Sequence, residues 1–128
     1  MTVTLLIDEA TALLADKAIE EQIRTLALRA RKYGIYAIMG GQDWKAASLD
    51  TAIRNQLSTR VQFKAQDGAQ SRVLLGTSEA ARIEHIGRAY AVLPGRPRLE
   101  IQAPHIDLAT TARLAGTNRA GAPNSGAV

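Results

Sequence analysis

The feature that most constrains this chain is a short apolar run that ends in two acids. Thr2, Val3, Thr4, Leu5, Leu6 and Ile7 form a β-branched and aliphatic stretch, and Asp8-Glu9 stop it abruptly. A strand with one wet face alternates apolar and polar residues. An unbroken run is instead read as a strand covered on both faces, as in a parallel sheet. A helical pattern follows over 16–33, with Ile19, Ile23, Leu26, Ala27 and Ala30 on one stripe and Glu20, Arg24, Arg31 and Lys32 elsewhere. Asp16 is placed to cap its start and Gly34 to close its end. Ile35-Tyr36-Ala37-Ile38-Met39 is a second buried-type strand, and it runs into Gly40-Gly41-Gln42.

The remaining elements are shorter. A polar stretch over 43–48 leads to a helix through Leu49, Ile53 and Leu57, then a third strand over 59–63. Asp67-Gly68-Ala69-Gln70 has the form of a capping box opening a helix through Val73-Leu74-Leu75 to Gly76. Another short helix is expected over 79–86. The segments 88–93 and 98–103 flank Pro94-Gly95-Arg96-Pro97 as a hairpin. Beyond Pro104 the apolar period is lost, and from Ala115 the composition is that of a disordered tail. The division expected is a folded unit over 1–106 and a helix remnant with tail over 107–128. Strand, helix, strand, helix, strand in this order implies right-handed crossovers and a parallel sheet. In such sheets ligands sit at the carboxyl ends of the strands. Those ends carry Asp8-Glu9, Gly41-Gln42 and the turn over 64–67.

Composition narrows the chemistry. With 128 residues, 46% of them apolar and only 4% aromatic, one modest core of Leu, Ile, Val and Ala is expected. The absence of cysteine excludes disulfides, thiolate catalysis and Cys-ligated zinc or iron–sulfur centres. His85 and His105 have no ligand spacing to acids. No apolar run is long enough to span a membrane, and Met1-Thr2-Val3-Thr4 lacks a signal peptide's basic start, so a cytoplasmic protein is expected. Sixteen Lys and Arg against twelve Asp and Glu give a formal charge of +4. That balance, with a pI near 9.9, tilts the partner toward a polyanion.

An apolar strand ending in Asp-Glu is the Walker B pattern. Asp8 at the strand end can hold the water shell of Mg²⁺, and Glu9 can orient or deprotonate an attacking water. Gln42 ends the next parallel strand, where a side-chain amide can report on a γ-phosphate and position water. It equally suits an ordinary loop. Arg31, in the last helical turn, fits either a cation satisfying a helix C-terminus or an arginine finger reaching a neighbouring subunit. Trp44 with Lys45 fits either stacking on a base or packing onto its own domain.

LLIDEA, a long helix ending ALRARKYGI, a strand closing in GGQ, then NQLSTRVQFK and DGAQSRVLLG follow in order over residues 3–105. This series resembles the second half of an FtsK/SpoIIIE or HerA-type DNA-translocase motor. The resemblance implies an α/β, RecA-like P-loop NTPase sheet with flanking helices, here incomplete and ending in a β-hairpin. It implies a ring, usually hexameric, around double-stranded DNA, with ATP and Mg²⁺ as cofactors. In that frame Asp8 is the Mg²⁺ partner, Glu9 the catalytic base, Gln42 the sensor and Arg31 a finger acting in trans. Arg54 and Arg72 correspond to pore-loop cations on the DNA backbone. GGQDW departs from the more usual Thr-Gln-Arg-Pro, which removes a basic residue at Asp43 and leaves Lys45 to compensate.

A Walker A loop, G-x-x-x-x-G-K-[S/T], is missing: none of the ten glycines is followed by Lys and then Ser or Thr. The chain therefore reads as the C-terminal part of a longer motor, whose upstream region could carry a membrane anchor. The alternatives are a non-catalytic DNA-binding or ring-assembly module of the same fold, or a fragment of another RecA-like or helicase ATPase. Without the amides and lysine that cradle phosphates, the isolated chain is expected to bind Mg-ATP no better than millimolar. Calorimetric titration checks this, and a micromolar constant would refute the fragment reading.

Overall fold

The computed structural model describes residues 1–47 and 49–120. Strand β1 (Val3–Ile7) pairs in parallel with β2 (Ile35–Met39), with Val3 opposite Ile35 and Ile7 opposite Met39. The crossover between them holds a short helix α1 (Ala10–Leu13) and the longer α2 (Lys17–Ala30). The Asp16 carboxylate caps α2 by accepting from the backbone N–H of Ala18 at 2.8 Å and Ile19 at 3.3 Å. A 3-10 turn over Arg31–Tyr33 ends it, and Gly34 takes the left-handed conformation at φ 68°. The predicted stripe faces inward, with Ile23 and Ala30 buried. Glu20 departs from expectation: it is buried on α2, and its carboxylate is neutralised by Lys17 Nζ at 2.8 Å.

Helix α3 (Thr51–Gln56) leads to β3 (Arg60–Gln62), α4 (Gly68–Leu75), a 3-10 turn over Glu79–Arg82, β4 (Arg88–Val92), β5 (Leu99–Gln102) and α5 (Leu108–Ala120). The expected hairpin is present as antiparallel β4–β5. The helix expected over 79–86 shrinks to the 3-10 turn because Ile83 takes extended backbone and sends its side chain into a buried cluster with Ala65, Leu75 and Ala80. Asp107 caps α5 through Thr110 N at 2.7 Å, and hydrogen bonds from the Thr110 side chain and backbone hold its carboxyl below the usual range. Helix α5 thus extends through Ala115 to Ala120, into the segment expected to be a tail; the rest of that tail lies outside the described residues.

The third strand does not join the parallel sheet. β3 pairs antiparallel with β4, so the described strands form a two-stranded sheet, β1-β2, and a separate three-stranded one, β3-β4-β5. The fold is mixed α/β. Nor are β1 and β2 covered on both faces. Ile7 and Met39 pack against the main core of Ala10, Leu14, Ile23, Trp44, Leu49 and Ile53, whereas Leu6, Tyr36 and Ile38 are exposed.

Arg60 ties β3 to the ends of helices α3 and α4. Its Nε donates to the Leu74 carbonyl at 2.7 Å, and Nη1 donates to those of Leu57 at 3.1 Å and Arg54 at 3.4 Å. These carbonyls lie at the C-terminal ends of α4 and α3, where helix C=O groups lack partners and the dipole is negative. Burial, and then the nearby Arg54 charge, lowers the Arg60 guanidinium pKa from its ordinary value. Replacing Arg60 by Met keeps the stem packing and removes these bonds. Arg60→Met is expected to lower stability by about 2 kcal/mol in urea unfolding, and Arg54→Met, with one long contact, by less.

Candidate functional site

The parallel register brings the ends of β1 and β2 level, because Ile7 and Met39 are partners. Two backbone bonds lock these ends: Gly40 N donates to Ile7 O at 2.9 Å, and Ala10 N donates to Gly40 O at 2.7 Å. Asp8 and Glu9 therefore leave β1 beside the loop that carries Gln42. The contact is direct, with Gln42 Nε2 donating to Glu9 Oε1 at 2.7 Å. Asp8 Oδ1 accepts from Glu9 N at 3.0 Å. Both acids are exposed, as a site that meets a soluble ligand requires.

Glu9 has φ 54° and ψ 41°, the one non-glycine residue with positive φ among those described. The left-handed conformation costs a side-chain-bearing residue roughly 1–2 kcal/mol. It lets the chain turn from strand to α1 within one residue while the carboxylate swings toward β2. Such strain concentrates where position matters more than stability.

The loop after β2 is held on two sides. A Cβ on Gly41 would sit 2.8 Å from Thr11 Cγ2 and 3.0 Å from Trp44 Cζ2, so only glycine fits beneath the indole. Trp44 is buried in the main core, which settles it as a packing residue. On the other side Gln70, in the first turn of α4, donates from Nε2 to Gln42 O and to Asp43 Oδ1, each at 3.3 Å. Its Oε1 accepts from Gln66 N at 2.6 Å, while Asp67 Oδ1 accepts from Gln70 N at 2.8 Å. The capping box is thus half formed: Asp67 caps α4, but Gln70 turns outward to grip the Gln42 loop. Sequence reasoning missed Gln70, although its place in the box pattern marked it as a residue with a free amide to commit.

The other singled-out residues lie apart from this centre. Arg31 is exposed at the start of β2, the opposite end of the sheet from Glu9. The five-residue strand puts about 16 Å between those ends, too far for Arg31 to reach its own Glu9. Lys45 pairs with Asp43 at 3.0 Å, so the lysine expected to compensate for Asp43 is itself paired with that acid. Arg54 Nη1 donates to Val73 O at 3.4 Å. Arg72 is exposed on α4. No cluster of three or more His, Asp or Glu side chains suited to a metal occurs among the described residues.

If the Glu9 conformation serves the site and not the fold, glycine there should relieve it. Glu9→Gly is expected to raise stability by about 0.5–1 kcal/mol, the left-handed penalty less glycine's added entropy. Urea midpoints of the two proteins check this, and a loss of stability would mean that the Gln42 contact outweighs the strain.

No protein-family model matches the sequence, and neither does any curated protein. Solved structures do match in fold. The cytoplasmic domain of the Thermomonospora curvata type VII secretion ATPase EccC superposes with a TM-score of 0.74 at 22% identity, over 82% of this chain and 12% of that one. The pCW3 conjugation coupling protein TcpA, in a monomer form with ATPγS, gives a TM-score of 0.75 at 23% identity over 91% of this chain and 37% of that one. The chain thus spans well under half of either of these two chains. What the likeness shows is the fold: this mixed α/β arrangement is shared with segments of a secretion ATPase and of a conjugation coupling protein.

Proposed function

We propose that this chain is the Walker B and sensor part of an ATP-driven motor that moves double-stranded DNA. The observation that carries the proposal is the 2.7 Å bond between Glu9 and Gln42 at the level ends of two parallel strands, with Asp8 beside them. Carboxylate, carboxylate and amide converge where an α/β sheet presents its ligands. One coupling protein of the same fold is described with ATPγS, and one neighbour is a secretion ATPase, which supports nucleotide as the ligand.

In this reading Glu9 takes the proton of the attacking water, and Gln42 orients the carboxylate and senses the γ-phosphate. Asp8 suits Mg²⁺: it is an exposed carboxylate, and only Oδ1 is engaged by the Glu9 N–H. The ion supplies charge neutralisation on the phosphates. Arg31, remote from its own Glu9, acts on a neighbouring subunit's nucleotide, which calls for a ring assembly, a hexamer in the family it resembles. DNA contact falls chiefly to exposed Arg72. Arg54 and Lys45 contribute once their contacts to Val73 and Asp43 are released.

The test uses a polypeptide that joins this chain to a Walker A-bearing segment. Glu9→Gln is expected to keep nucleotide binding and stop turnover. Mixing inert Glu9→Gln subunits with inert Arg31→Ala subunits is expected to restore part of the ATPase rate, since some interfaces then pair an intact base with an intact arginine. Full activity in Glu9→Gln would remove the base assignment. No rescue at any mixing ratio would return Arg31 to capping its own helix.

A further inference from the structure

One side chain joins three parts of the chain beside Glu9. Gln70 Oε1 accepts from Gln66 N at 2.6 Å, in the turn after β3. Its Nε2 donates to Gln42 O and to Asp43 Oδ1, each at 3.3 Å. These partners fix which end of the amide is which. Gln66 N is a donor and needs the oxygen, whereas the carbonyl and the carboxylate are acceptors and need the NH₂ group. A flipped amide would satisfy none of the three. The cap of α4 does not depend on this side chain, because Asp67 Oδ1 accepts from the backbone N–H of Gln70. The amide is therefore committed to the Gln42 loop and not to its own helix. Asp43 has a matching place. Its Oδ1 accepts from Gln70, and its Oδ2 meets Lys45 Nζ at 3.0 Å. A basic residue at position 43 would set donor against donor, so the acid and the amide suit each other.

From this geometry we infer that Gln70 and Asp43 form a latch that positions Gln42 on Glu9, which makes Gln70 a positioning residue for turnover. It acts through Gln42 and does not touch the reacting atoms. Gln70 holds the main chain of Gln42, and the side chain of Gln42 donates to Glu9 Oε1 at 2.7 Å. Without the latch the loop keeps its anchor at Gly41, packed between Thr11 and the Trp44 indole, and loses the bonds on the far side. Position 42 lies between these two anchors. Its amide then samples more than one direction, and a misdirected group costs rate because catalysis depends on a held geometry. The effect on turnover rests on the nucleotide reading of Glu9 and Gln42; the latch itself rests on the bonds of Gln70 alone.

Gln70→Met keeps the reach of the side chain, its helix propensity and the Asp67 cap, and removes every bond of the amide. In the purified chain, amide nitrogen relaxation is expected to show the order parameter of the Gln42 backbone falling from about 0.85 to about 0.6 or below, with α4 unchanged. In the polypeptide joined to a Walker A-bearing segment, Gln70→Met is expected to lower kcat about five- to tenfold, the weight of one hydrogen bond, with KM for ATP within about twofold. Asp43→Ala leaves the bond to the Gln42 carbonyl in place and should cost less. In a Gln42→Ala background, Gln70→Met should have no further effect on kcat, as action through Gln42 requires. An unchanged order parameter, additive losses in the double variant, or full kcat in Gln70→Met while Glu9→Gln is inactive would each overturn the latch. Full activity in Glu9→Gln would instead remove the nucleotide reading, and with it the role in turnover, whatever the relaxation shows.

Discussion

The parallel pairing that sets Ile7 opposite Met39 is the constraint on which the site depends. It brings two strand ends level, so Glu9 and Gln42, 33 residues apart in sequence, meet within one hydrogen bond. A slip of one residue would turn the apolar set of β2 to its other face and carry Gln42 away from the acid. The ends are pinned by the backbone bonds of Gly40 to Ile7 and of Ala10 to Gly40, so register and site are fixed by the same atoms. Glu9, the one non-glycine residue with positive φ among those described, sits at this junction, and its conformation aims a carboxylate.

The loop carrying Gln42 is placed from outside the sheet. Gly41 lies under the Trp44 indole, and Gln70 holds the Gln42 carbonyl from α4. Helix α4 also supplies the Leu74 carbonyl that Arg60 grips from β3. One short helix therefore touches the candidate site at its N-terminal end and the second sheet at its C-terminal end. Any displacement of α4 is felt at both.

The strong local patterns read correctly from sequence. The Ile19, Ile23, Leu26 stripe, the Asp16 cap and the Gly34 stop are all short-range consequences of backbone geometry, and α2 follows them. The β4–β5 hairpin does too, because Pro94-Gly95 and the flanking runs act over a few residues. The strand-end acids and Gln42 were legible as strand-end residues for a related reason: an apolar run that stops at a polar residue marks where a strand ends. Gln70 was not legible as a site residue. Its pattern specified a reciprocal cap on Asp67, whereas its Oε1 accepts from Gln66 N and its Nε2 donates to the Gln42 loop.

Sequence by itself determined most strands and helices and which side chains stand at the ends of β1 and β2, since these depend on neighbours a few positions away. It overran at 79–86, where burial of Ile83 cuts the helix to a 3-10 turn, and it missed the run of α5 past Ala115. Tertiary structure alone decided which strands pair. β3 reads as the third member of a parallel sheet, yet its ladder is with β4, because hydrogen bonds form with the nearest available edge and not with the edge that the chain order anticipates. It also decided what stays uncovered. Leu6, Tyr36 and Ile38 carry the apolar signature of a strand buried on both faces, but burial needs a partner layer, and the described residues supply one face only.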